Sequence, residues 1–184
     1  KIPPFETHDL RINLKKFLDT DFNGTKIGNY TYGVYAFFDY DNEPIYVGQT
    51  NEKLRTRIRR HLTNQRTDAV AMSVLDPFEV FRIEVWPLSQ FEGISKKLNL
   101  EKYKEACGAL NALEFQVFEY AISNSKFKAI LNEKDPPEPA TKIAVPNSFS
   151  SKIVSDEVHA IRKHPDFRIA RRASILAKLA QVIS

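Results

Sequence analysis

Cysteine and long apolar runs are scarce in this sequence of 184 residues, and each scarcity excludes a class of protein. Its one cysteine, Cys107, rules out an internal disulfide and a zinc site built from several cysteines. We therefore expect a reducing, cytoplasmic location. No apolar run approaches the roughly 20 residues that span a membrane. The opening KIPPFETHDL has no apolar segment, so we do not expect it to be a signal peptide.

Several common catalytic and nucleotide-binding motifs are also missing. The sequence contains no GxxxxGK[ST] phosphate loop, no GxGxxG and no GxSxG. His8, His159 and His164 show neither HxH nor HExxH spacing, and we interpret them as surface residues. These absences argue against P-loop proteins, dinucleotide-binding domains, serine hydrolases and histidine-based metal sites.

Basic residues are concentrated in two stretches. The net charge is +4, and residues 53–66, KLRTRIRRHLTNQR, hold six Lys or Arg residues and no acidic one. Residues 162–178 are also basic, with Asp166 as their single acid. Such stretches permit a nucleic-acid partner, although solvated helix faces would give the same pattern.

Apolar periodicity and turn residues predict an alternation of helices and strands. Helices are predicted over 6–19, 51–64, 101–123, 155–164 and 171–183. Strands are predicted over 31–39, 45–47 and 78–86, with a turn at DFNG (21–24) and an irregular insertion at 88–100. The segment DPPEPA at 135–140 reads as a linker. These boundaries suggest an N-terminal extension (1–29), a core domain (30–134) and a helical C-terminal extension (135–184).

Three groups of residues do not fit a purely structural interpretation. Arg57 and His61 lie four residues apart, on one side of the predicted helix. They could form a structural bracket or face a phosphate. Glu114 is a carboxylate within an apolar stripe, where it needs either an ion-pair partner or a role as metal ligand or acid–base group. Tyr35 and Tyr46 are ordinary strand residues unless their hydroxyls are used.

The order of these pieces resembles the GIY-YIG nuclease family. GVY at 33–35 is similar to the family's GIY, and YVG at 46–48 is similar to its YIG. Arg57 matches the arginine of the following helix. His61 stands where part of the family has a histidine and other members have a tyrosine.

The resemblance continues to residue 132, with two departures. Glu114 matches the metal-binding glutamate of a helix, and Asn132, in AILN, matches an asparagine that ends a later segment. Gln49 stands where many members carry a basic residue directly after YIG. The separation of Arg57 from Glu114 is also longer than in compact members, which we attribute to the 88–100 insertion.

The resemblance implies an α+β fold, a small three-stranded antiparallel sheet flanked by helices, and metal-dependent cleavage of phosphodiesters. It implies that Glu114 binds Mg²⁺, with Mn²⁺ as an alternative. Arg57 would neutralise charge on the phosphate, and Tyr35 would orient or deprotonate a water, its pKa lowered by nearby cations. Tyr46 and His61 would position or relay the proton. Supporting roles are expected for Gly33, Gly48 and Asn132.

The sequence therefore predicts a DNA endonuclease, with a homodimer as one candidate assembly and with a restriction or defence role favoured over repair or mobile-element cleavage. A catalytically silent DNA-binding module and a partner-binding protein are the alternatives. DNA contacts are expected from Lys53, Arg55, Arg59, Arg60 and Arg66, and sequence specificity from 88–100 and 140–184. The last helix has an apolar face that could serve a dimer or pack on the core: Ile169, Ala173, Leu176, Ala180 and Ile183.

Overall fold

The structure, a computed structural model, describes residues 4–63, 75–132 and 134–183. Its helices are α1 (Phe5–Asp19), α2 (Leu54–Thr63), α3 (Leu100–Asn124), α4 (Asp156–Arg162) and α5 (Pro165–Ile183). Its strands are β1 (Asp21–Phe22), β2 (Thr25–Lys26), β3 (Gly33–Phe38), β4 (Pro44–Thr50), β5 (Arg82–Pro87) and β6 (Phe149–Lys152). The predicted α+β class is confirmed. Within the described ranges, no helix combines the length and apolarity that crossing a membrane requires.

The main sheet has four antiparallel strands in the order β4-β3-β5-β6. The three strands that were predicted are present, and the fourth, β6, was not. Its sequence, FSSK, is short and half serine, so neither strand propensity nor apolar alternation marks it. The predicted turn at 21–24 joins β1 and β2 in a small hairpin, where Asn23 and Gly24 both have positive φ.

The two faces of the sheet support two separate cores, because successive strand residues point to opposite sides. Tyr35 and Phe37 of β3 face α1 and α2, in the cluster that includes Leu14 and Ile58. The other face, with Val34, Ala36 and Phe38, packs on α3. Because β4 is an edge strand of this sheet, side chains from both faces of the sheet can come close together beside it.

Several element boundaries differ from prediction, among them the start of the last helix at Pro165 and the end of β4 at Thr50, and two of the differences have clear local reasons. The helix α2 begins at Leu54 because the chain before it forms a turn, in which the backbone N–H of Glu52 donates to Oγ1 of Thr50 over 3.0 Å. The strand β5 begins at Arg82 because Pro77–Glu79 forms a 3-10 turn whose first N–H groups are capped by Asp76.

The helix α5 packs on the core through a different face from the one expected. Ile169 and Leu176 are 69% and 53% exposed, whereas Arg171, Ile175 and Leu179 are buried. Arg171 is an ion-pair partner of Glu79 and Asp41, and it donates to the carbonyl of Arg162 over 2.8 Å. Apolar spacing could not reveal this face, because its first member is a charged residue. The side chain of Ile183 lies outside the described residues.

Candidate active site

The hairpin of β3 and β4 places Tyr35 and Tyr46 together at one position. Tyr35 pairs directly with Gly48, and Phe37 pairs with Tyr46, so both phenols lie on the α2 side of the sheet. A Cβ atom on Gly48 would stand 2.8 Å from the Tyr35 hydroxyl and 2.8 Å from Cε1 of Tyr46. The glycine therefore leaves the space that these two rings occupy. Gly33 is also tightly packed, since a Cβ there would lie 3.2 Å from the carbonyl oxygen of Trp86.

The helix α2 presents Arg57 and His61 to the hydroxyl of Tyr35. Nε of Arg57 donates to this hydroxyl over 3.2 Å, and Nε2 of His61 lies 3.0 Å from it. The His61 ring is 5.1 Å from that of Tyr46 between centroids. The helix is held in this orientation by its buried stripe of Leu54, Ile58 and Leu62. The four predicted residues thus form one cluster.

Burial and two hydrogen bonds set the protonation state of the Tyr35 hydroxyl. A guanidinium can only donate, so the phenol oxygen accepts from Arg57. Burial, and then the negative charge of Tyr46 when ionised, raise the pKa of Tyr35 above its usual range, outweighing the opposite effect of Arg57. The phenol is therefore protonated, and its second hydrogen bond is formed with Nε2 of His61. Arg57 lowers the pKa of Tyr35, as expected of a nearby cation, but burial has the larger effect.

On the other side of β4, Glu114 of α3 is held by amide groups. Nε2 of Gln49 donates to Oε2 of Glu114 over 3.0 Å and to Oδ1 of Asn111 over 2.7 Å. Burial raises the pKa of Glu114, and the hydrogen bond from Gln49 and the charge of Arg57 oppose that rise. Among the described residues, no Lys or Arg forms an ion pair with Glu114. The side chain that donates to Glu114 is thus the neutral amide of Gln49, and not a Lys or Arg ion-pair partner.

The donor set around Glu114 fits a hydrated hard cation. In residues 4–63, 75–132 and 134–183, no three His, Cys, Asp or Glu side chains lie close enough to enclose a metal by themselves. Mg²⁺ does not need such a cage, because it keeps several waters and binds through one or two carboxylates and substrate phosphates. Glu114 is partly exposed and has no counter-ion in direct contact within the described part of the chain, which leaves its carboxylate available for that chemistry.

Asn132 completes the hydrogen bonding of the edge strand β4. Its Oδ1 accepts from the N–H of Val47 over 3.0 Å, and its Nδ2 donates to the Val47 carbonyl over 2.8 Å. The adjacent N–H of Leu131 donates to the carbonyl of Ile45. The amide of Asn132 thus acts as a strand partner at Val47, between Tyr46 and Gly48.

The basic residues predicted to contact DNA differ in exposure and in whether an acidic side chain already pairs with them. Lys53 and Arg59 are exposed and belong to no ion pair among the described residues. Arg55 is paired with Asp19 at 2.6 Å, and Arg60 with Glu52 at 2.8 Å. Arg66 lies outside the described residues.

Two residues at the site were not proposed as functional from the sequence. Asn111 stands one helical turn before Glu114, and Gln49 directly follows the YVG tripeptide. Gln49 had been noted only as a departure from a basic residue. Its position immediately after the motif was the available signal, since the strand register then directs it towards α3.

Comparison with known families agrees with this geometry. The GIY-YIG catalytic domain model matches residues 31–128, slightly more than half of the chain. The matched region runs from just before β3 to just after α3, and it includes Tyr35, Tyr46, Arg57, His61 and Glu114. Neither the curated proteins nor the solved structures gave a match.

Proposed function

Because this chain belongs to the GIY-YIG catalytic domain family, we propose that it is a metal-dependent endonuclease that hydrolyses DNA phosphodiester bonds. Nuclease activity in general follows from the family. The choice of DNA and of Mg²⁺ is our inference. The observation that supports the proposal most is the arrangement of side chains around β4. Tyr35, Arg57 and His61 lie on one side of this strand, and Glu114 lies on the other.

Glu114 would hold Mg²⁺, or Mn²⁺ in its place, through its carboxylate. When bound, such an ion supplies Lewis-acid stabilisation to the scissile phosphate and to the leaving oxygen. Gln49 keeps the carboxylate in position by its hydrogen bond to Oε2. Asn111 in turn fixes the Gln49 amide, so that Glu114 is oriented before any substrate arrives.

Arg57 would neutralise the charge that develops on the phosphate oxygens. Its Nε donates to the Tyr35 hydroxyl, so the two terminal nitrogens of Arg57 are the ones that would bind the substrate. The same side chain lines a cleft between β4 and α3. A guanidinium suits this role because it stays charged at any working pH and matches phosphate geometry.

Tyr35 and His61 would carry the proton away from the attacking water. The raised pKa of Tyr35 argues against a free phenolate as the resting base. We propose instead that the phenol oxygen accepts the water proton while its own proton passes to Nε2 of His61. Because the hydroxyl is buried, the water must reach it between the partly exposed side chains of Arg57, His61 and Tyr46.

Plasmid DNA incubated with the protein, with Mg²⁺ and separately with EDTA, tests the proposal. One active site cuts one strand at a time, so the expected first product is nicked circular DNA, formed with Mg²⁺ and absent with EDTA. A mobility shift without cleavage would indicate the silent DNA-binding module. Neither cleavage nor a shift would indicate a partner-binding protein. The restriction or defence role and the homodimer stay predictions.

A further inference from the structure

A cleft of about 300 Å³ opens beside the active site, between the end of β4 and the helix α3. Two residues join it to the site: Arg57, which contacts Tyr35, and Gln49, which contacts Glu114. Its volume is at the lower end of the roughly 300–1,000 Å³ of ligand pockets. This volume suits contact with a single nucleobase of the substrate.

The walls of this cleft combine amide groups with a small apolar surface. Asn51 stands on the β4 side and Asn111 on the α3 side, both exposed, with the half-buried Cys107 and the buried Leu110 beside Asn111. Glu52 also lines the cleft, and its carboxylate is paired with Arg60. Amide side chains carry a donor and an acceptor side by side, which is the pattern that base edges present. Cys107 offers a small contact to a base face.

Hydrogen bonds already fix the two asparagines while leaving part of each amide open. Oδ1 of Asn111 accepts from Gln49, and its Nδ2 has no partner among the described residues. Nδ2 of Asn51 donates to the hydroxyl of Tyr103 over 3.1 Å, and its Oδ1 has no partner within those same ranges. The cleft thus presents a free donor group on one wall and a free acceptor on the other.

We propose that this cleft binds the nucleobase next to the scissile phosphate, and that Asn51 and Asn111 select a purine there. The proposal rests on the endonuclease function argued above and adds the part of the substrate that is read. Adenine is the best match, because its N7 acceptor can pair with Nδ2 of Asn111 and its N6 donor with Oδ1 of Asn51. Specificity at this position would then come from residues beside the active site, in addition to 88–100 and 140–184.

A duplex library with randomised positions, cut with Mg²⁺ and sequenced at its ends, tests this. Wild type should favour purines over pyrimidines at one position flanking the cut, by roughly 10-fold. Asn51→Ala and Asn111→Ala should each bring that ratio close to one. The ratio is the readout because Asn111 also supports Gln49, so Asn111→Ala is expected to lower the overall rate as well.

Asn124→Ala is the matched control. Asn124 lies on the same helix, 13 residues after Asn111 and therefore about 20 Å away along the axis. Its Nδ2 donates to the carbonyl of Tyr120, on the exposed end of the helix. This variant should keep the wild-type purine preference. A wild type that cuts without a purine preference, or a preference that survives both Asn51→Ala and Asn111→Ala, would overturn the proposal.

A second arm separates failure of this proposal from failure of the endonuclease function. The same library is bound in EDTA, and the bound fraction is sequenced. If wild type does not cut with Mg²⁺, the endonuclease function fails. In that case a purine-containing motif enriched by wild type and lost in Asn51→Ala still supports the base contact. Absence of any such enrichment would overturn the base contact too.

Discussion

The hydroxyl of Tyr35 on β3 lies 3.0 Å from Nε2 of His61 on α2. The same oxygen accepts a hydrogen bond from Nε of Arg57, so a single buried phenol ties two side chains of the helix to the central strand. The direction of the bond from Arg57 is fixed, because a guanidinium can only donate. The Nε2 atom of His61 lies within reach of the Tyr35 proton, as the proposed relay requires.

Tyr35→Phe keeps the ring and removes only the hydroxyl. We expect the rate of Mg²⁺-dependent nicking to fall on the order of 10²-fold or more, because the proton relay is lost. The free energy of unfolding should fall by about 1–2 kcal/mol, since Arg57 and His61 each lose a partner. Nicking kinetics and denaturant unfolding measure the two effects. Full nicking activity in Tyr35→Phe would show that the relay role is wrong.

Tyr40→Phe is the control for that change. Tyr40 is also buried, but its hydroxyl has no hydrogen-bond partner among the described residues. Its removal should leave the nicking rate unchanged, and the free energy of unfolding equal or higher by up to about 1 kcal/mol. The guanidinium of Arg171, 4.8 Å from the ring centre, would keep its contact with a phenylalanine.

Gly48→Ala should disrupt the cluster from the neighbouring strand. Its methyl group would stand 2.8 Å from the Tyr35 hydroxyl, so either the phenol or β4 must shift. We expect a loss of about 1–3 kcal/mol in the free energy of unfolding, and a large loss of nicking. The control is Gly108→Ala, where the added methyl meets nothing within 4 Å on the exposed side of α3. That variant should be more stable than wild type by about 0.5–1 kcal/mol.

Local patterns were sufficient to predict part of the site. The four-residue spacing of Arg57 and His61 and the apolar stripe around Glu114 are visible in the sequence. The amide chain from Asn111 through Gln49 to Glu114 was not predictable, because it depends on how β4 docks on α3. The buried state of Tyr35, and with it the direction of its pKa shift, depends in the same way on the packing of α1 and α2 over the hairpin.

The exposed basic residues of α2 and the turn before it should control the salt dependence of DNA binding. Lys53→Gln and Arg59→Gln should each reduce the slope of log affinity against log salt by about 1, because each removes one phosphate contact. Arg55→Gln should leave the slope unchanged, since this residue is committed to Asp19 and to the carbonyl of Leu18. Titrations in EDTA at several salt concentrations measure the slopes. Equal slopes for all three variants and wild type would exclude this segment as a DNA-contacting surface.

Asp39, in the β3–β4 turn, should make stability depend on pH. Burial raises its pKa to about 6. The hydrogen bonds that its carboxylate accepts from the N–H groups of Glu43 and Asp41 act in the opposite direction and are the smaller effect. Because this pKa lies above the unfolded value, the contribution of Asp39 to stability is fully present below about pH 4 and is lost as pH rises to about 6. In Asp39→Asn the amide would keep an acceptor oxygen and carry no charge. The stability of this variant relative to wild type should thus rise across this range, by up to about 3 kcal/mol.

Denaturant unfolding at several pH values measures that difference, with Asp156→Asn as the control of opposite sign. The contact with Lys152 lowers the pKa of the exposed Asp156, so this variant should lose stability relative to wild type as pH rises. A pH-independent difference for Asp39→Asn would contradict the assignment of a buried, ionisable Asp39.

The most direct test of the central claim compares Glu114→Gln with Glu119→Gln in the plasmid assay with Mg²⁺. Glu114→Gln keeps the size of the side chain and an acceptor for Gln49, but it removes the charge that would hold the metal. Glu119 is exposed on the other side of the same helix. The account predicts a loss on the order of 10³-fold for Glu114→Gln and the wild-type rate for Glu119→Gln. Nicking by Glu114→Gln at the wild-type rate would contradict it.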